Sequence, residues 1–370
     1  MKIIRIFLLF IIFFIPVAGI ITTPSDLVLK GENRNITAFP EFGKNLFFLN
    51  LQKFLTDRLL YKIKFEEEFF PIFHDYFSFF KFDKNEFSIE GRDGWLFFLD
   101  GLAANAYKHH CFSLDETIYR KSLLSNKIPF LKELSSFSQA KFYIVIGPDK
   151  HGVYPEYMDQ HYGKPGQYRL FSKFKNVFEN NDLTVIDPHD VLVEAKQQFI
   201  GKSLYFTDDT HWNLAGSKVA FDYLMKFILD DYQPIEYEFS FIKHKNGDLV
   251  RNIKQPNNDF LDDLNVTRAN LPIVQVYDFY SNELISNSIL NFKGPDFGTM
   301  VINNQSKDKR TILLLSDSFG YALKSYLSDY FYKVIHISGY CKKAASLKEI
   351  IEKAQPDIIL YVNVERNVTL

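Results

Sequence analysis

The stretch Thr311-Ile-Leu-Leu-Leu315-Ser316-Asp317-Ser318-Phe319-Gly320 decides the fold. Its first half is a short apolar run, the composition of a strand buried on both faces of a parallel sheet. After Gly320, residues Ala322, Leu323, Tyr326, Leu327 and Tyr330 recur at helical spacing. A strand therefore feeds a helix through a very short turn. Ser318 on that turn presents its hydroxyl at the sheet's carboxyl edge, and the first N–H groups of the helix point toward any oxyanion formed there. A Ser at such a place also serves as an ordinary N-cap, so this stretch alone leaves both readings open.

The same rhythm extends outward from it. Strand-like runs at 95–98, 142–146, 183–186, 334–337 and 357–362 alternate with helical patterns at 117–134, 168–178, 191–199 and 347–354. Strands alternating with helices predict an α/β fold over residues 87–370, with a mostly parallel sheet and helices on both faces. Ligands of such sheets bind at the strands' carboxyl ends. Residues 231–310 break the rhythm with Asn-rich turns at Gln255-Pro256-Asn257-Asn258 and Asn303-Asn304-Gln305, and with short β-like runs such as Ile273-Val-Gln-Val276. This segment reads as an insertion, forming either one wall of the cleft or a solvated β-rich excursion. Ahead of the α/β region, residues 30–86 carry a Phe-rich helical stripe, expected as an amphipathic helical region packing on the main domain.

A second stretch supplies the chemistry that Ser318 lacks. Tyr205-Phe-Thr-Asp-Asp-Thr-His-Trp-Asn-Leu-Ala-Gly216 places Asp209 two residues before His211, and Asn213 stands where it can cap a helix running through Leu214, Ala220, Tyr223, Leu224, Phe227 and Ile228. A nucleophilic hydroxyl needs a base, and an imidazole needs a carboxylate to orient it. Asp209, His211 and Ser318 are thus the candidate catalytic set. A capping loop with a structural His is the other reading of the second stretch.

Composition narrows the classes. The 370 residues are 46% hydrophobic and 17% aromatic, with 39 Phe, and the net charge of -2 argues against a nucleic-acid surface. Lys2 and Arg5 precede an apolar run from Ile6 to Ile21, the pattern of an export signal. Residues 1–22 are therefore expected as a signal peptide or membrane anchor, with the rest of the chain outside the cytoplasm. Two cysteines, Cys111 and Cys341, make no disulfide framework. Lys108-His109-His110-Cys111 holds ligand-type residues without a second cluster nearby, so no metal is expected there. The segment around Gly147 and Gly152 lacks the Gly-Lys-Ser/Thr ending of a phosphate-binding loop. Lys150, just past a strand end, and Arg366, after the last strand, are candidate cations for an oxyanion or an anionic sugar.

Together these stretches resemble the acetyltransferase branch of the SGNH (GDSL-like) superfamily, in particular the AlgX/AlgJ-type polysaccharide O-acetylation proteins. Further landmarks follow in the family's order: Glu32-Asn33-Arg34 with Phe39-Pro40 and Asp57-Arg58, then Gly91-Arg-Asp-Gly94-Trp95-Leu96-Phe97, Pro148-Asp149-Lys150 with Val153-Tyr154-Pro155, Gly247-Asp248-Leu249 within the insertion, and Glu365-Arg366. The resemblance implies an SGNH hydrolase-like three-layer fold with a permuted motif order, acid and His before Ser. It implies acetyl passed through an acyl-Ser318 to hydroxyls of an exported polysaccharide, with acetyl supplied by a membrane-bound O-acyltransferase, no cofactor, no metal and a retained anchor. A carbohydrate acetyl-esterase has the same triad, and a non-catalytic polysaccharide-binding or assembly protein is the third possibility. The chain departs from the family where the usual Gly-Asp-Ser reads Ser316-Asp317-Ser318. Gly tolerates backbone angles that Ser does not, so an altered turn is expected.

Overall fold

The strand that ends in Ser316 lies near the middle of an eight-stranded sheet. The computed structural model describes residues 28–29, 34–35, 88–98, 116–158, 169, 171–244, 247–250, 260–292, 297–338 and 344–368. Its strands are β1 (Lys141–Gly147), β2 (Val185–Ile186), β3 (Ile273–Asp278), β4 (Leu284–Ile289), β5 (Thr299–Ile302), β6 (Asp308–Ser316), β7 (Phe331–Ser338) and β8 (Ile358–Val364), in the order β4-β3-β5-β7-β6-β8-β1-β2. The run β7-β6-β8-β1-β2 is parallel throughout. The remaining strands, β5, β3 and β4, join antiparallel beyond β7.

Alternation along the central strands builds two cores. Ile312, Leu314, Val334, Ile358 and Leu360 face one side, where they meet helices α3 (Leu214–Ile228) and α4 (Gly320–Tyr330) through Phe221, Leu224, Leu323 and Leu327. Leu313, Leu315, Ile335, Ile337 and Ile359 face the other, against α1 (Ile128–Ser135) and α5 (Ala344–Ala354) through Leu131, Leu134, Leu347 and Ile351. Each fully buried aliphatic side chain contributes about 1.5–3 kcal/mol. This explains the uninterrupted apolar run: both faces of β6 are covered, so neither register position tolerates a polar residue until the strand ends. A further helix, α2 (His189–Ala195), follows β2 on the α3 side.

The insertion is β-rich, and its outer strand β4 is largely exposed. Three of its segments extend the central sheet, and a fourth and fifth, Glu238–Ile242 and Asp263–Thr267, pair as a separate antiparallel ribbon. Without β5 the β7 edge would offer a row of unpaired backbone groups. The strand expected at 95–98 also departs from the α/β rhythm. Leu96–Phe98 pairs antiparallel with Ser88–Glu90, outside the main sheet, and buries Trp95, Leu96 and Phe97 completely. The helix expected over 168–178 resolves into a 3-10 turn at Phe171–Lys173 and a short helix at Lys175–Glu179. The helix expected over 117–134 forms with a π turn at Leu123–Lys127, just ahead of Pro129, whose missing N–H breaks the regular ladder.

The chain divides into two compact units, residues 1–86 with 101–103, and 87–100 with 104–370. In the first, Val28–Leu29 pairs antiparallel with Arg34–Asn35. The apolar run of residues 6–21, the Phe stripe, Cys111 and Cys341, and the Lys108–Cys111 loop lie outside the described residues. Among the described residues no helix is long and apolar enough to cross a membrane.

Candidate active site

Two loops at the carboxyl edge of the sheet meet. The first leads into α3. Tyr205 and Trp212 bridge antiparallel, and the N–H groups of Phe206 and Asn213 donate to the carbonyls of His211 and Leu204, so residues 204–213 double back on themselves. Asn213 caps α3 as its position in the sequence predicts, its side chain accepting from Gly216 N–H at 3.0 Å. The second loop is the turn Asp317-Ser318-Phe319 between β6 and α4. It is held by its buried Asp317, whose carboxylate accepts from the N–H groups of Phe319 at 3.0 Å and Val364 at 2.7 Å. The two loops are tied directly: Trp212 Nε1 donates to Phe319 O at 3.1 Å, and the His211 ring tilts against the Phe319 ring at 5.1 Å.

This junction aligns three side chains. His211 Nε2 lies 2.6 Å from Ser318 Oγ, and His211 Nδ1 lies 2.6 Å from Asp209 Oδ1, which also accepts the His211 backbone N–H at 3.0 Å. The adjacent acid, Asp208, turns the other way and holds His244 Nδ1 at 2.5 Å. The Asp209 and His211 side chains are 17% and 25% exposed, so solvent reaches a mostly enclosed pair. Burial works against the charged form of each. The opposite charge and the shared hydrogen bond outweigh it, so Asp209 is held well below the usual carboxylate range and His211 above the usual imidazole range. A carboxylate that fixes the far ring nitrogen and an imidazole in contact with a hydroxyl can move that hydroxyl's proton.

The turn supplies fewer backbone donors than expected. Phe319 N–H goes to Asp317, Gly320 N–H to Asp317 O and Tyr321 N–H to Ser318 O. Ser318 N–H has no acceptor among the described residues. The Ser in place of the family's Gly needs no left-handed backbone here. Ser316 ends β6 without a positive φ. Its hydroxyl meets His336 Nε2 at 2.8 Å, in the space where a side chain on Gly320 would lie 2.0 Å from Ser316 Oγ. The Ser316 hydroxyl thus occupies space that the missing side chain of Gly320 leaves open.

Lys150, expected at the cleft as a cation, is buried and fully engaged. Its Nζ donates to the carbonyls of Phe206 (3.0 Å), Thr207 (3.1 Å) and Asp209 (2.7 Å). Burial pulls its pKa down to about 8 against the pull of Asp209 and other nearby carboxylates. Lys150 therefore fixes the backbone beneath Asp209. Arg366 lies beside the site, paired to Asp149 and stacked over Phe98 at 4.6 Å and Phe319 at 6.0 Å. Asp248, quoted in the sequence only as part of a recurrent element, stands 3.8 Å from His211 Nδ1. Ligand-type atoms of Asp209, His211 and Asp248 come within 4.8 Å of one another. Both ring nitrogens of His211 are engaged here by Asp209 and Ser318.

Residues 89–271 match the family model of the SGNH hydrolase-like domain of the acetyltransferase AlgX. That range contains Asp209, His211 and Asp248, and Ser318 follows beyond it. Among solved structures, Bacillus cereus PatB1 is similar at 18% identity and a TM-score of 0.53, covering 76% of this chain and 97% of its own. A DHHW family protein from Eubacterium siraeum is similar at 14% identity and a TM-score of 0.50, covering 77% and 95%. The O-acetyltransferase domain of Pseudomonas putida AlgJ follows at 17% identity and a TM-score of 0.44, covering 77% and 92%. None of the curated proteins matches the sequence. The likeness to PatB1 and the DHHW protein is one of fold, and the α/β architecture agrees with the SGNH hydrolase-like domain that the family model describes.

Proposed function

We propose, from the premise that residues 89–271 are an SGNH hydrolase-like domain of the AlgX acetyltransferase family, that the protein transfers acetyl groups through Ser318 to hydroxyls of a polysaccharide. The observation that carries the reading is the unbroken line Asp209–His211–Ser318, with both contacts at 2.6 Å. Ser318 Oγ attacks the acetyl carbonyl of the donor while its proton passes to His211 Nε2. Ser318 N–H faces the charge that develops on the carbonyl oxygen, and Asp209 holds the imidazolium. The leaving group departs with the proton from His211, which leaves acetyl-Ser318 and a neutral base. A sugar hydroxyl then gives its proton to His211 as its oxygen attacks the ester. Collapse returns the proton to Ser318 and releases the acetylated sugar.

Water competes for the same ester, because His211 is a quarter exposed. An acetyl-esterase differs only in which hydroxyl wins. The Lys2 and Arg5 pattern and the family premise together support work outside the cytoplasm on an exported polymer, with acetyl delivered by a membrane-bound acyltransferase. The test is incubation with an acetyl donor and candidate oligosaccharides, read by mass. A transferase yields acetylated glycan faster than free acetate. Acetate release that no glycan alters would assign the esterase instead.

A further inference from the structure

The proton transfers above use Asp209 and leave the neighbouring Asp248 without a task, yet Asp248 is built into the same junction. The segment 247–249 lies directly on the Asp208–His211 loop. Gly247 N–H donates to Asp208 Oδ2 at 3.1 Å and Leu249 N–H to Asp208 O at 3.2 Å. The approach is so close that a Cβ at position 247 would stand 2.1 Å from Asp208 O, so only glycine fits. Asp248 N–H donates to Asp209 Oδ2 at 3.0 Å, fixing the carboxylate oxygen that His211 does not use. In return, Asp248 Oδ1 accepts Thr210 N–H and Oδ2 accepts Thr210 Oγ1, both at 2.8 Å. Thr210 Oγ1 itself stands 3.3 Å from His211 Nδ1.

We propose that Asp248 is a positioning residue of this site, a second carboxylate that stabilises the imidazolium form of His211 through its charge beside Nδ1 and its hold on Thr210 and Asp209. The proposal rests on the acyl-serine reading for its meaning in the reaction, and on the geometry alone for its effect on His211. The charged groups around the imidazole are Asp209, Asp248, Asp317 and Arg366, with Lys150 and the Asp208–His244 pair behind the loop. Burial disfavours the imidazolium, Asp209 and then Asp248 favour it, and Arg366 opposes them. Asp248 is itself pushed above the usual carboxylate range by burial and by Asp209, so its effect is present above that raised value and fades below it.

The sign of the test follows. A neutral residue at 248 makes the imidazolium less favourable, so His211 releases its proton at lower pH, and the acid limb of activity moves to lower pH with it. The experiment titrates His211 by NMR in the full chain labelled at histidine, with the signal assigned from a His211→Asn variant. It compares wild type with Asp248→Asn, whose amide can still accept from Thr210 N–H, and with Asp248→Ser. Asp248 is a third exposed, so neither replacement empties a core. The expected result is a midpoint lower by about half a pH unit or more in both variants. The acid limb for hydrolysis of 4-nitrophenyl acetate should move by the same amount. An unchanged midpoint in either folded variant would overturn the proposal. A lowered midpoint in a protein that transfers acetyl from no donor would uphold Asp248 while refuting the acyl-serine function, so the two failures are distinct.

Discussion

Two serines separated by one residue, Ser316 at the end of β6 and Ser318 in the turn after it, each hydrogen-bond a histidine, and the pairs differ in every respect that matters to chemistry. Ser316 Oγ meets His336 Nε2 at 2.8 Å in full burial, with His336 Nδ1 unpartnered among the described residues. Burial, helped by the nearby Lys324 charge, drives the His336 pKa far down, so this imidazole resists protonation. Ser318 Oγ meets His211 Nε2 at 2.6 Å, with Asp209 on the far nitrogen and a quarter of the imidazole open to solvent. A serine beside a histidine is therefore no nucleophile by itself. What separates the pairs is a carboxylate that welcomes the proton and an opening through which a substrate arrives.

The comparison is broken most sharply by removing one pair. Ser318→Ala and His211→Ala should each lower acetyl transfer about ten-thousandfold or more, and Ser318→Ala should do so with melting temperature nearly unchanged. The Ser316–His336 pair should not substitute. Substantial activity in Ser318→Ala would mean that the wrong serine has been assigned. Next in size, Asp209→Asn should cost about a hundredfold to ten-thousandfold, because the amide keeps the shape while misorienting the imidazole. Lys150→Met tests the backbone beneath the acid. With the carbonyls of Phe206, Thr207 and Asp209 left without their donor, chemical denaturation should show a loss of about 1–3 kcal/mol or more, with activity falling alongside.

The structural pair should give the smallest effect on rate. Ser316→Ala leaves His336 Nε2 buried without a partner, which costs about 1–3 kcal/mol of stability and leaves activity within several-fold of wild type. A pH signature accompanies it. His336 has a depressed pKa when folded, so the unfolded chain binds the extra proton, and stability contributed by this residue is lost as pH falls below about 6.5. His211 and His244, both raised, contribute the opposite sign: stability present at low pH and lost as pH rises through their folded values. Stability curves of His336→Phe should therefore fall less steeply toward acid than those of wild type.

Local pattern made the central features legible. The strand-turn-helix at 311–330, the Asn213 cap and the two-residue spacing of Asp209 and His211 depend on neighbours in the chain, and the structure has each as read. The choice of Asp209 over Asp208 rests on its two-residue spacing before His211, and the structure turns Asp208 to His244 instead. Features that depend on pairing between distant segments were opaque. The insertion's strands carry no sign that they join the β7 edge, because edge pairing is decided by which strand is left open. Lys150 looked like a cleft cation because nothing in the sequence announces three carbonyls converging on it. The contact of Ser316 with His336 requires knowing that β6 and β7 are parallel neighbours, with Leu314 opposite His336. Asp248 was visible as part of a motif, but its task depends on a loop folding back over Asp208, which only the missing side chain of Gly247 permits.

The central claim is that the partly exposed Ser318–His211 pair, and not the buried Ser316–His336 pair, carries an acyl group. The most direct measurement is peptide mass analysis of the protein quenched during turnover of 4-nitrophenyl acetate. The account predicts one acetyl group on the peptide containing Ser318, fragmenting to Ser318 rather than Ser316, absent in Ser318→Ala and greatly slowed in His211→Ala. Acetyl found on Ser316 or on another side chain, or an unchanged yield in Ser318→Ala, would contradict it.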